Sequence, residues 1–159
     1  MGLDILAYQY VALLQSGAFD ERLEGELHLS NHDFPSRSDG LGDGHYLTGG
    51  EHHHFRAGSY SGYNYWRDQL CHAAFGISAK ELWASPVQGP FVELIHFTDC
   101  DGFIGPRTAA KLARDFAENH ERVIARWSFD PEAPFLMDRY ADFCKAFGIA
   151  AGRGVVVFT

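Results

Sequence analysis

From Phe91 to Phe97 the chain is apolar at every position except Glu93 and His96, and the continuation T-D-C-D-G-F-I-G-P runs to Pro106. This stretch constrains the fold most, because it predicts a buried strand, an acidic turn and a helix entrance in immediate succession. Alternation places Phe91, Glu93, Ile95 and Phe97 on one face and Val92, Leu94, His96 and Thr98 on the other. Both faces are mostly apolar, which predicts a strand inside the sheet. Glu93 is the exception. A carboxylate among Phe91, Ile95 and Phe97 needs a cation or hydrogen-bond donors, or takes up a proton, because an unpaired buried charge is too costly. Such a group is either half of a structural ion pair or a catalytic carboxylate.

Asp101-Gly102 is a turn signal, and proline at the first position of a helix sacrifices no hydrogen bond, so Gly105-Pro106 predicts a helix start. The run D-C-D-G-F-I has the look of a calcium loop, but with Asp101 and Gly102 in its fifth and sixth positions the first and twelfth fall on Phe97 and Thr108. Both essential acids are therefore missing. Cys100 between two aspartates is a poor nucleophile, since neighbouring negative charge raises a thiol's pKa.

With 159 residues the chain has the size of one domain, and 46% apolar with 14% aromatic residues excludes a disordered one. Thirteen Lys and Arg against twenty-one Asp and Glu leave a formal charge of −8. That balance, without a basic cluster, argues against nucleic acid as a partner. Cysteines 71, 100 and 144 share no metal-ligand spacing and are odd in number, which suits a reducing cytoplasm.

Ile5 to Leu14 is apolar, but no positive residue precedes it and Gln9 interrupts it, so it does not read as a signal peptide. It is too short to span a membrane, and Leu6 occupies the Ser/Thr position of a myristoylation signal. It predicts a central first strand over 3–12. Gly17 to Gly25 reads as a turn, Glu26 to Ser30 as a short strand with Leu27 and Leu29 inward, and 31–54 as a long loop holding one brief strand near His45 to Thr48. Gly40-Leu-Gly42-Asp-Gly44 lacks the flanking strand and helix of a dinucleotide fingerprint. Within Glu51-His52-His53-His54, His52 and His54 share a face if extended, and with His45 they are candidate zinc or nickel ligands. The alternative is a solvated loop.

Ser59 or Ser61 predicts a helix cap, with Tyr63, Trp66, Leu70 and Ala74 as the buried stripe and Asn64, Asp68 and His72 as a polar line. A Gly-Ser backbone at a helix start below Arg56 suits an anion, giving Arg56, Ser59, Tyr60, Ser61, Tyr63 and Tyr65 as candidate ligand-binding residues. The anion is either a ligand phosphate or carboxylate, or an internal latch from Asp99 or Asp101. Asp68 and His72 form either a general-base pair or a surface contact.

Four stretches together resemble a group of small uncharacterised proteins of bacteria and tailed bacteriophages: M-G-L-D-I, D-F-P-S-R-S-D-G-L, F-R-A-G-S-Y-S-G-Y-N-Y-W-R and F-V-E-L-I-H-F-T-D-C-D-G-F-I-G-P. The resemblance covers most of residues 1–115. It implies a bacterial or phage cytoplasmic setting; the group has no established activity, so no catalytic residue carries over.

A second helix is expected over about 106–125 and a third over about 135–147, the latter burying Leu136, Tyr140, Phe143 and Phe147 with Cys144 as a core thiol. Val155 to Phe158 closes the sheet. The expected fold is α+β: one domain over 1–159, a mixed sheet of about four to six strands that includes 3–12, 91–97 and 154–158, and three main helices largely on one side. No P-loop, nucleophile elbow or zinc-finger spacing occurs, and no cofactor is expected. Three functional classes follow, in this order. The first is a non-enzymatic accessory protein that meets another protein or itself; the second is a small anionic-ligand binding module at 56–62; the third is a hydrolase-like enzyme using Glu93, His96, Asp99 and Asp101.

Overall fold

The computed structural model describes residues 1–14 and 23–159, so most of the turn expected at Gly17 to Gly25 lies outside the described residues. Among the described residues five strands are present: β1 (Leu3–Leu13), β2 (Leu23–Leu29), β3 (Gly44–Gly58), β4 (Gly102–Ile104) and β5 (Val155–Phe158). They form one sheet in the order β2-β3-β1-β5-β4. All four pairings are antiparallel, so the mixed directions expected are not found. The α+β class stands, with β1 near the middle of the sheet and β5 beside it.

Six α-helices are found among the described residues: α1 (Tyr60–Phe75), α2 (Ala79–Ala84), α3 (Val92–Ile95), α4 (Pro106–Glu118), α5 (His120–Trp127) and α6 (Ala133–Ala150). The main core lies between them and the sheet face carrying Leu3, Ile5, Ala7, Phe55, Ala57, Val156 and Phe158. Leu29, Tyr46, Phe103 and Val155 form a smaller core on the opposite face, where Leu41 of the 31–43 loop packs. Phe143 of α6 is the hub of the main core, with ring centroids 4.7 Å from Trp66, 5.0 Å from Phe55 and 6.3 Å from Phe158.

The central expectation is corrected at 91–97. That segment is no strand: Phe91 has φ 65°, in the left-handed region, and α3 follows as a single turn. An apolar run without periodicity suits a buried turn as well as a buried strand, and here no neighbouring strand offers it a ladder. Its polar groups are met otherwise. The Phe91 N–H donates to the Asp115 carboxylate at 3.0 Å, while Arg37 donates to the Glu93 and His96 carbonyls, each at 3.0 Å. The second correction lies at 44–58. A loop carrying one brief strand was expected to reach 54, yet β3 runs for 15 residues. It is flanked on both sides, by β1 and β2, so the ladder itself satisfies a backbone whose side chains have little strand preference. The bulge opposite Gln9 is taken by Gly50, at φ 77°.

The long second helix is broken at Asn119, whose backbone leaves the helical region at φ −103° and ψ 3°, while its backbone N–H and side-chain amide both donate to the Asp115 carbonyl, at 3.0 and 2.9 Å. The remaining loop, 31–43, serves the fold. Its Asp39 caps α4, accepting from the Thr108 N–H at 2.7 Å and the Thr108 hydroxyl at 3.0 Å. Asn31, buried, donates to the Phe103 carbonyl on β4 at 2.9 Å. Among the described residues no helix is long and apolar enough to cross a membrane.

Candidate functional site

Helix α1 begins as its sequence dictates: the Ser59 hydroxyl accepts from the Gly62 N–H at 3.0 Å and lies 3.1 Å from the Ser61 hydroxyl. Tyr63, Trp66 and Leu70 are buried as expected. So is Arg67, 3% exposed, one position beyond that stripe. A buried guanidinium needs partners for its donors and a counter-charge. One Nη donates to the Phe97 carbonyl and the other to the Asn64 Oδ1, both at 2.5 Å, and the guanidinium also interacts with the buried Tyr63 side chain. The cation lies between two rings, 5.1 Å from the Tyr63 centroid and 4.9 Å from that of Trp83. No carboxylate pairs with Arg67 directly among the described residues. The nearest negative charge on this network is one step away, where Asn64 Nδ2 donates to Asp99 Oδ2 at 2.7 Å.

Arg67 lines the inside of a cleft of about 410 Å³. Asp33 and Phe34 bound one side and Trp83 of α2 the other, with His96 to Cys100 between them. Trp83 is fixed by its indole N–H, which donates to the Ile95 carbonyl at 2.8 Å, yet it stays 39% exposed. Phe34 meets the His96 ring edge-on at 5.6 Å. Burial lowers the His96 pKa, and the charges of Arg37 and Arg67 lower it further, so the imidazole is neutral at pH 7. Burial likewise pushes the Tyr63 hydroxyl up to about 12, with the Arg67 charge acting against the rise. The cleft thus offers aromatic walls, a neutral imidazole and a buried cation, with carboxylates at its rim.

Of the four expected catalytic residues, His96 and Asp99 line this cleft and Glu93 and Asp101 do not. Glu93 found its cation in Lys111, at 2.7 Å, and Lys111 also holds Asp115 at 2.8 Å. Asp101 faces a separate recess of about 230 Å³ beside His28 and Ser30. Within the cleft no hydrogen bond joins His96 to Asp99 or Cys100 among the described residues; the exposed Cys100 thiol lies 3.3 Å from the Thr98 hydroxyl instead. Nucleophile, base and orienter are therefore not assembled.

The anion site at 56–62 is also redrawn. Arg56 pairs with Asp4 at 3.4 Å, in the open, and not with the 99–102 turn. Ser59 is occupied in capping, Tyr63 is buried, and Tyr60 and Tyr65 are exposed on the outside of the helix. Asp99 does reach α1, but at Asn64 and not at the helix start beside Arg56. The candidate metal ligands do not converge either. His45 lies 3.4 Å from Glu26, and His54, farther along β3, 3.8 Å from Asp4. Among the described residues no group of three or more His, Cys, Asp or Glu is placed to hold a metal ion. Asp68 and His72, 3.6 Å apart, make a surface contact, and Asp68 accepts from the Ala79 N–H at the start of α2.

Sequence reasoning missed Arg67, Trp83, Phe34 and Asp33. Only Arg67 carried a signal, as a cation next to an apolar helical stripe and four residues after a tyrosine. The others come from segments whose meeting no local pattern announces. No family model, no curated protein and no solved structure matches the chain.

Proposed function

We propose that the protein is a binding module for a small anionic ligand, and that the cleft over Arg67 is its site. The observation that carries this reading is the buried guanidinium with no carboxylate in direct contact, its Nη donors going to a carbonyl and an amide oxygen, in a residue that lines an open cleft. Asp33 and Asp99 at the rim repel a polyanion such as a nucleotide phosphate chain. They leave as the ligand class a monocarboxylate with an apolar or aromatic group that lies against Trp83. This class ranks ahead of the hydrolase-like reading because Glu93 is committed to Lys111. It ranks ahead of a purely accessory role because the cleft sets the half-exposed Trp83 ring and two carboxylates around a buried cation. The setting we propose with it is the bacterial or phage cytoplasm, supported by the resemblance of the signature stretches and by three free thiols.

Nuclear magnetic resonance titration with benzoate and longer aryl carboxylates, benzylamine serving as the opposite-charge probe, tests the reading. Carboxylates are expected to shift the Trp83 indole N–H and the backbone signals of 96–100. Asp99→Asn, which removes the internal competitor, should tighten binding, and Arg67→Met should abolish it. Because Arg67→Met removes a buried side chain and can unfold the chain, Trp83→Leu serves as the second variant and should weaken binding. Preference for benzylamine, or no shift from any carboxylate up to about 10 mM, overturns the proposal.

A further inference from the structure

A second feature lies at the α5/α6 hairpin of the helical layer. Phe129, in the loop between α5 and α6, is 95% exposed. The loop that carries it is held firmly: the Asp130 N–H donates to the Trp127 carbonyl at 2.9 Å, the Ala133 N–H to the Asp130 carbonyl at 3.0 Å and the Glu132 N–H to the Asp130 carboxylate at 2.7 Å. A phenyl ring presented on a rigid turn loses little conformational freedom on docking. Between the same two helices runs an apolar groove of about 480 Å³, floored by Ile124, Met137, Tyr140 and Cys144. The Tyr140 hydroxyl already donates to the Phe116 carbonyl, at 2.5 Å, so the floor makes no polar demand on an occupant. Lys145 and His120 stand at the groove's rim. Lys145 is exposed and makes no ion pair among the described residues, while Phe129 is followed by Asp130 and Glu132.

We infer that the chain pairs with a second copy of itself, the Phe129 ring of each copy entering the α5/α6 groove of the other, with Glu132 and Asp130 against the partner copy's Lys145. Knob and groove belong to one helical hairpin, so a two-fold axis makes both contacts at once and the assembly closes as a dimer. Charge selects this occupant: on a chain of net charge −8 the groove has a lysine at its rim, and the one fully exposed phenylalanine among the described residues carries acids beside it.

Sedimentation velocity on the full chain from about 1 µM to about 500 µM reads the outcome directly. The wild type is expected to reach the dimer mass within this range. Phe129→Ser, whose side chain touches nothing in the monomer, should leave the circular dichroism unchanged and weaken association by at least about 30-fold, as loss of an aromatic anchor does. Ala141→Glu in the groove should do the same. Lys145→Glu should weaken pairing, and Glu132→Lys added to it should restore it. The Cys144 thiol should react with maleimide more slowly in the dimer. A wild type that stays monomeric throughout overturns the inference, even if another protein is found to fill the groove. A dimer whose affinity Phe129→Ser leaves unchanged also overturns it.

Discussion

Single residues show how charge is distributed between structure and site. Lys111 holds Glu93 at 2.7 Å, Asp115 at 2.8 Å and the Gly89 carbonyl at 2.6 Å. Replacing it by methionine leaves two carboxylates facing each other without a cation. Lys111→Met is therefore expected to lower stability by about 2 kcal/mol in urea unfolding, with partial recovery when Glu93→Gln is added. Arg56 is the contrast. Its pair with Asp4 lies in the open at 3.4 Å, with the Arg56 side chain 54% exposed, and Arg56→Met should change stability by less than about 0.5 kcal/mol. His96 introduces a pH dependence. Its folded pKa lies below the ordinary value of about 6.5, so the unfolded chain binds more protons in the interval between the two. Its contribution to stability is complete above about pH 6.5 and is lost as the pH falls from there toward the folded value. Unfolding curves of His96→Gln measured across that interval should be flatter with pH than those of the wild type.

At the scale of elements, strand β1 joins the two halves of the sheet, pairing β3 on one side and β5 on the other. Just before β5 the backbones come very close: a Cβ on Gly154 would lie 1.8 Å from the Tyr8 carbonyl oxygen. A backbone atom cannot swing aside as a side chain can. Gly154→Ala is expected to push β5 away from β1 and lower the melting temperature by several degrees, a cost of about 1–3 kcal/mol. The bulge at Gly50 is the other glycine the sheet depends on, since it resets the β1–β3 register partway along a strand of 15 residues. The 31–43 loop contributes Asp39 to the start of α4 and Arg37 to the carbonyls of Glu93 and His96. These contacts hold the segment that lines the cleft, which ties the loop to the site without placing most of it there.

The whole molecule is an antiparallel sheet with its helices on one face, and α6 is the helix that crosses the middle of that layer. Phe143 stacks with Trp66 at 4.7 Å and meets Phe55 at 5.0 Å and Tyr63 at 6.0 Å, joining α1, β3 and α6 in one aromatic cluster. Phe143→Ala is expected to cost about 3–5 kcal/mol, measured by urea unfolding, because the rings around it belong to separate elements and cannot all collapse into the space. The cleft and the α5/α6 groove both lie in the helical layer. The cleft sits where α1, α2 and the 96–100 turn meet, and the groove where α5 and α6 diverge.

Local pattern was sufficient for the elements whose signals lie within their own residues. The strands at the two ends of the sequence, the serine cap and buried stripe of α1, the proline start of α4 and the apolar face of α6 all follow from alternation, helical spacing and capping chemistry. The α+β class follows from these alone. Partners remote in sequence settled the rest. Residues 91–97 became a turn because Asp115 and Arg37 satisfy their backbone while no strand lies beside them; the glycines and histidines of 44–58 became a strand because β1 and β2 flank them. Glu93 had to find a cation, and folding supplied Lys111. Arg67 stands in a cleft because the 31–34 segment, α2 and the 96–100 turn all close around it, and the meeting of three segments has no period for a single stretch of chain to carry.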